Sequence, residues 1–228
     1  MGEAGCTWSP TLCDCEIDGD DNDIDGADLA VLTAEFDRAD CPLVLETRVS
    51  ASSDDAEESD SDGMVYLTSS DLELVYETYQ DRGNQTVGMR FNGVEIPRGA
   101  SILNAYIQFQ VDEPSSEETS LLIQGEDVDY AQPFNSSTQN ISSIARTSAW
   151  AGWSPVEWHV VGEAGPDQRT PNISSIIKEI VDRPGWSKGN SLAIIITEGG
   201  KKVAESYDGD PAGAPLLHVE YTIPVADE

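Results

Sequence analysis

Acidic side chains at alternate positions are the most chemically specific feature of this chain. The run Asp18-Gly19-Asp20-Asp21-Asn22-Asp23-Ile24-Asp25-Gly26-Ala27-Asp28-Leu29 places oxygen donors at every second residue directly before a helical pattern. A loop of this kind wraps a hard divalent cation with monodentate carboxylates, and Ca²⁺ is the ion that prefers such oxygen ligands. The expected side-chain ligands are Asp18, Asp20, Asn22 and Asp28, with Ile24 supplying its carbonyl and Asp21, Asp23 or Asp25 as substitutes. The frame is imperfect. Counting twelve positions back from Asp28 reaches Ile17, whereas a loop starting at Asp18 is one residue short, so the ligand assignment stays open. A second calcium site is expected from Glu57, Asp71, Glu73 and Asp208. Six acids fall in the nine residues from Asp54, Asp71 and Glu73 alternate onto one face of a strand, and Glu205 to Asp210 forms another acidic turn. Solvated acidic loops are the competing reading of the same residues.

Four cysteines, Cys6, Cys13, Cys15 and Cys41, flank the first acidic run and are the only ones in the chain. Their even number and clustering predict disulfides formed in an oxidising compartment. A zinc site is the rival, but the segment has no histidine and its spacings fit no common finger. Of the three pairings, Cys15 with Cys41 and Cys6 with Cys13 is preferred, because joining Cys13 to Cys15 would close a strained ring.

These residues must be held by two different kinds of chain. Residues 1–41 carry twelve acids against the single base Arg38, and contain a helical pattern within Ala27–Phe36. From Pro42 the pattern changes, dividing the chain into a cysteine-rich acidic segment, 1–41, and a β domain, 42–228. Strand signals recur at Gly63–Leu67, Leu72–Tyr79, Thr86–Phe91, Ile102–Val111, Ser120–Gly125, Trp158–Val161, Ser191–Thr197 and Leu216–Thr222. Alternation is clearest at Ile107, Phe109 and Val111, which share one face. Thr170–Arg183 is the exception: Pro171, isoleucines at helical spacing and Pro184-Gly185 describe one capped amphipathic helix. The stretch Ala51–Asp62 reads as a solvated loop or a metal-binding turn.

The Asp18–Asp28 loop with its following helix resembles the half-repeat of dockerin-like and EF-hand-like bacterial modules, over about 30 residues. Such modules pack two repeats together. This chain has one, so the resemblance implies that the apolar face of the helix docks on the chain's own sandwich or on a neighbouring subunit. The segments Thr86–Phe91, Val94–Ile102, Ala105–Phe109 and Ala214–Tyr221 resemble the jelly-roll domain of the DNRLRE-like, carbohydrate-binding-module-like kind found in secreted bacterial proteins. That resemblance implies an all-β jelly-roll sandwich with one short helix, and sugar binding as a further expectation.

Composition narrows the function. With 43 acidic against 12 basic residues the formal charge is −31, a field that repels polyphosphate, so nucleic acid is not an expected partner. No apolar run is long enough for a membrane span, and the start at Met1 lacks the basic and apolar regions of an export signal. No nucleophile elbow, metalloprotease helix or phosphate loop occurs. The expected role is therefore a non-catalytic calcium-binding structural or assembly module, extracellular or on a cell surface, forming oligomers or filaments through its N-terminal segment. The alternative is a carbohydrate-binding module. Trp150, Trp153, Trp158 and Trp186 are its aromatic candidates, and Trp153, in a turn-like Ala-Gly-Trp-Ser-Pro context, is the expected sugar-stacking residue.

Overall fold

Strands rich in valine, isoleucine and aromatic residues must bury one face, and a chain with many of them closes its faces against one another. The computed structural model describes the backbone of Thr7–Ser9 and Leu12–Asp14, and residues 42–79 and 82–223. It is an all-β sandwich with a single short α-helix among the described residues. The expected ligands Asp18, Asp20, Asn22, Ile24 and Asp28, the helix within 27–36, and Cys6, Cys15 and Cys41 lie outside the described residues. Cys13 falls in β2 (Leu12–Asp14), which pairs with β1 (Thr7–Ser9) as an antiparallel hairpin.

The main sheet runs β12 (Arg146–Trp153), β11 (Ser120–Glu126), β13 (Asn190–Gly199), β8 (Gly83–Val94), β4 (Asp55–Ser59) and β5 (Val65–Tyr66). A short strand, β7 (Tyr76–Glu77), pairs with the start of β8. Two smaller sheets accompany it: β3 (Leu43–Arg48), β15 (Leu216–Thr222) and β9 (Ser101–Gln108) in one, and β10 (Val111–Glu113), β14 (Val203–Glu205) and β6 (Asp71–Glu73) in the other. All pairings are antiparallel. Val87, Met89 and Phe91 of β8, Ile194 and Ile196 of β13, Ile107 of β9, Val219 of β15 and Leu72 of β6 meet in one buried cluster, the core of the sandwich.

The helix α1 (Ser174–Val181) buries Ile176, Ile177, Ile180 and Val181 against β9, β11 and β12, so it bridges the two layers at one margin. It comes so close to β11 that a Cβ on Gly125 would stand 2.7 Å from Cδ1 of Ile180. Only glycine fits there.

The structure departs from the expected strands in instructive places. Trp158 makes an isolated bridge with Ser115 and no strand, and Leu72–Tyr79 is broken into β6 and β7. Most unexpected is β4. The acidic stretch read as a solvated loop contains an interior strand of the main sheet, buried at every position from Asp55 to Ser59. Aspartate and glutamate are poor strand formers on propensity, so composition concealed it.

Candidate metal centre

A buried carboxylate must find hydrogen bonds or an opposite charge. The acids in and beside β4 do so one by one. Asp54 accepts from Arg90 Nη1 at 2.6 Å, and Arg90 is further tied to the Ala131 carbonyl at 2.9 Å and to Ser191 Oγ at 3.0 Å. Glu58, on the face of β4 under the 131–144 loop, accepts from the N–H groups of Ile141 at 2.6 Å and Ser142 at 3.1 Å. Asp55 accepts from the Tyr207 N–H at 2.8 Å. Burial nevertheless pushes its carboxyl up to about 7, with the charges of Asp208, Glu57 and Asp54 adding to the rise.

Glu57 is the exception. Its side chain is fully buried, and while Oε1 accepts the Glu73 N–H at 2.7 Å, Oε2 has no partner. Glu73, only 4% exposed, likewise has an unpartnered Oε2. One residue of β8 and one of β7 complete this environment. The register pairs Glu57 with Val87 and Ser59 with Gln85, so Gln85 lies one step from Glu57 on the same interior face. Gln85 is 1% exposed, and neither its Oε1 nor its Nε2 has a partner. From Glu73 the chain passes through a cis Leu74–Val75 peptide to Glu77, which packs against the Glu73 carboxyl and accepts from the Tyr79 N–H at 2.5 Å.

The electrostatics follow from this crowding. Desolvation raises the Glu57 carboxyl, opposed by hydrogen bonds from Glu73 and reinforced by the charges of Asp71 and Glu77. Desolvation, and then the neighbouring Glu57 and Glu77 carboxyls, raise Glu73 furthest of all. For Glu77 burial also pushes upward, but Glu73, the Tyr79 N–H, Lys201 and Arg82 together hold it below its ordinary value. A proton shared between the Glu57 and Glu73 carboxyls would join the two acids through the hydrogen bond between their side chains. It would leave the Gln85 amide without partners. A cation bridging Glu57 and Glu73 would be the other neutraliser, and among the described residues the carboxylates of Glu57, Glu73 and Glu77 do not all come within 4.8 Å of one another as those of Asp71, Asp112 and Glu113 do. The donor set is entirely oxygen, as Ca²⁺ requires, with no nitrogen or sulfur ligand to favour a softer metal.

A second group of acids adjoins the first along β6. Carboxylate oxygens of Asp71, Asp112 and Glu113 lie within 4.8 Å of one another, and Glu205 stands directly opposite Asp71 across the β14–β6 pair. Burial, then the charges of Asp112 and Asp210, raise Glu205 to about 7. Like charges facing each other across a sheet are destabilising, so this face also gains from a counterion.

Of the residues expected at the second calcium site, Glu57 and Glu73 are thus brought together, and Asp71 sits two residues along β6 at the edge of the cluster. Asp208 is placed elsewhere: exposed in the turn after β14, it accepts from Ser52 Oγ at 2.9 Å and stands near Asp55. Glu77 and Gln85 were not singled out in the sequence. Only the pairing of β7 and β4 with β8 reveals them.

The aromatic expectation is also revised. Trp153 ends β12 pointing inward, 7% exposed, its ring stacked on Phe109 at 5.6 Å between centroids, so it offers no face to a sugar. Trp158 and Trp186 are buried as well, and the exposed tryptophan of the group is Trp150, at 62%. The alternation of β12 decides which is which.

A pocket of about 500 Å³ opens onto the acidic cluster. Glu73 and Glu77 lie in its wall with Asp71 and Glu113, and Arg82, Lys201 and Tyr79 complete its charged and aromatic lining. No helix among the described residues is long and apolar enough to cross a membrane. No protein-family model matches the chain, and no curated protein matches it either.

Proposed function

We propose that this chain is a non-catalytic, calcium-stiffened structural module of an extracellular or cell-surface protein, in which Ca²⁺ between Glu57 and Glu73 holds an acidic strand inside the sandwich. The observation that carries the reading is the pair of unpartnered, buried oxygens, Glu57 Oε2 and Glu73 Oε2, on two side chains at most 4% exposed. An orphaned buried carboxylate is costly, and a divalent cation is the neutraliser that serves several of them at once. The cysteine-flanked Asp18–Asp28 run adds a second calcium loop to the same reading, and its dockerin-like character makes it the part through which copies or neighbouring subunits would join. The jelly-roll resemblance of most of residues 44–222 to secreted bacterial domains supports the extracellular setting.

Calorimetric titration of Ca²⁺ into chelator-treated protein, paired with thermal unfolding, tests this reading. Saturable binding with a raised Tm is expected, and Glu57→Gln with Glu73→Gln should remove the part of that shift due to the sandwich. A protein that binds no Ca²⁺ below the millimolar range and unfolds at the same temperature in chelator would overturn it. Electron microscopy with Ca²⁺ and with chelator tests the assembly role, for which calcium-dependent oligomers or filaments are expected.

A further inference from the structure

The turn between β14 and β15 carries the one Asp-Pro bond of the chain, Asp210–Pro211. An aspartate carboxylate can reach its own carbonyl carbon to close a five-membered ring, and proline nitrogen is a comparatively basic leaving group, so such a bond is open to intramolecular attack. Both residues are exposed, and water reaches them. The fold adds three features. The Asp210 carbonyl oxygen accepts the N–H groups of Gly213 at 2.9 Å and of Ala214 at 3.0 Å, two fixed donors for a negative charge developing there. Asp210 Oδ1 accepts the Ala212 N–H at 3.0 Å. The ring closed by that hydrogen bond contains the Asp210–Pro211 bond, so the carboxylate is folded back over its own peptide unit. Glu205 packs against the same turn: a Cβ on Gly209 would collide with its Oε1, and one on Gly213 would stand 2.8 Å from its Cγ. Burial, then the charges of Asp112, Asp210 and Asp71 with a hydrogen bond to Asp112, raise the Glu205 carboxyl to about 7, so it keeps a proton below neutral pH.

We propose that Asp210–Pro211 is a self-cleaving bond, broken by attack of the Asp210 carboxylate on its own carbonyl carbon within the folded turn. A carboxylate oxygen bonds to that carbon, the C–N bond to Pro211 breaks, and the leaving nitrogen takes a proton from Glu205. The products are a cyclic anhydride at Asp210 and a free amine at Pro211. One water then opens the anhydride to two carboxylates, and its two protons restore Glu205 and charge the Pro211 amine. The sum is hydrolysis of one peptide bond. Bound calcium takes no part in these steps, so the inference stands or falls apart from the structural reading. The cut leaves β15 in place, hydrogen bonded between β3 and β9 with Leu217 and Val219 buried. The middle strand of that sheet then has no covalent link to β14.

Intact-mass spectrometry of the full chain, incubated in chelator below neutral pH and dissolved in denaturant before injection, reads the cut. Two fragments are expected, one ending at Asp210 and one starting at Pro211, whose masses sum to the parent plus one water. Their rate of formation should not depend on protein concentration. Incubation in urea at the same pH should slow cleavage by about tenfold or more, since the carbonyl's donors and Glu205 are then dispersed. Asp210→Ser keeps an oxygen for the Ala212 N–H but has no carboxylate, and should abolish cleavage. Glu205→Gln should slow it by about tenfold or more. Thermal unfolding of both variants beside the parent shows that they are folded. Methylamine added during incubation should appear as an amide on the fragment ending at Asp210, by capture of the anhydride. A chain that keeps its parent mass overturns the proposal. So does cleavage as fast in urea, cleavage that persists in Asp210→Ser, or a rate that rises with protein concentration as a contaminating protease would give.

Discussion

At the scale of single residues, the acids of this protein differ by what meets them. Arg90 and two backbone N–H groups make Asp54 and Glu58 ordinary buried acceptors, whereas Glu57 and Glu73 each keep a buried Oε2 with no donor from the protein. Glu73→Gln in chelator-treated protein should therefore raise stability by about 1–3 kcal/mol, since an amide carries no charge to desolvate, and should abolish most of the calcium-induced rise in Tm. Thermal unfolding with and without Ca²⁺ reads both effects. Asp54→Ala should act in the opposite direction. It strands Arg90 in the core and should cost about 3–5 kcal/mol whatever the calcium concentration. The raised carboxyls also predict an unusual pH dependence. Asp55 and Glu205 are lifted to about 7 from ordinary values of 3.8 and 4.5, and Glu57 and Glu73 are lifted too. Between pH of about 4 and 7 the folded chain holds protons that the unfolded chain has released, so stability falls as pH rises through that window. Chelated protein should be more stable at pH 5 than at pH 7.5, and saturating Ca²⁺ should remove much of the difference.

At the scale of elements, the centre exists because β4 is an interior strand. Its neighbours β5 and β8 fix which acids face the core, and one residue of slip would exchange Glu57 for Glu58. Such a stretch is legible as acidic but not as a strand, because its burial is stabilised by partners as distant in sequence as Tyr207 and Ile141. The helix α1 was legible by contrast, since its isoleucine stripe is local, though it is shorter than the pattern suggested. Its close seat on β11 predicts that Gly125→Ala lowers stability by about 1–3 kcal/mol through the clash with Ile180, checked by chemical denaturation. Trp153 illustrates the limit of reading turns from composition. Ala-Gly-Trp-Ser-Pro looks like a loop, yet pairing with β11 carries β12 through to Trp153 and turns the ring into the core.

At the scale of the whole molecule, a formal charge of −31 works against compactness, and cations relieve it. Adding monovalent salt to the chelated protein should raise its Tm, and by less once Ca²⁺ is bound, because screening and site binding relieve overlapping repulsions. Differential scanning measurements across a salt series would show the two curves converging. Charge, the cysteine cluster, the alternating acids of Asp18–Asp28, the β-rich body and its one helix are properties of composition and local period, and the sequence by itself determined them. Which carboxylates find donors within the protein and which keep a buried oxygen without one was decided only by tertiary structure. A carboxylate's cost depends on what surrounds it, and for Glu57 those surroundings arrive from Glu73, Glu77 and Gln85, on three different strands.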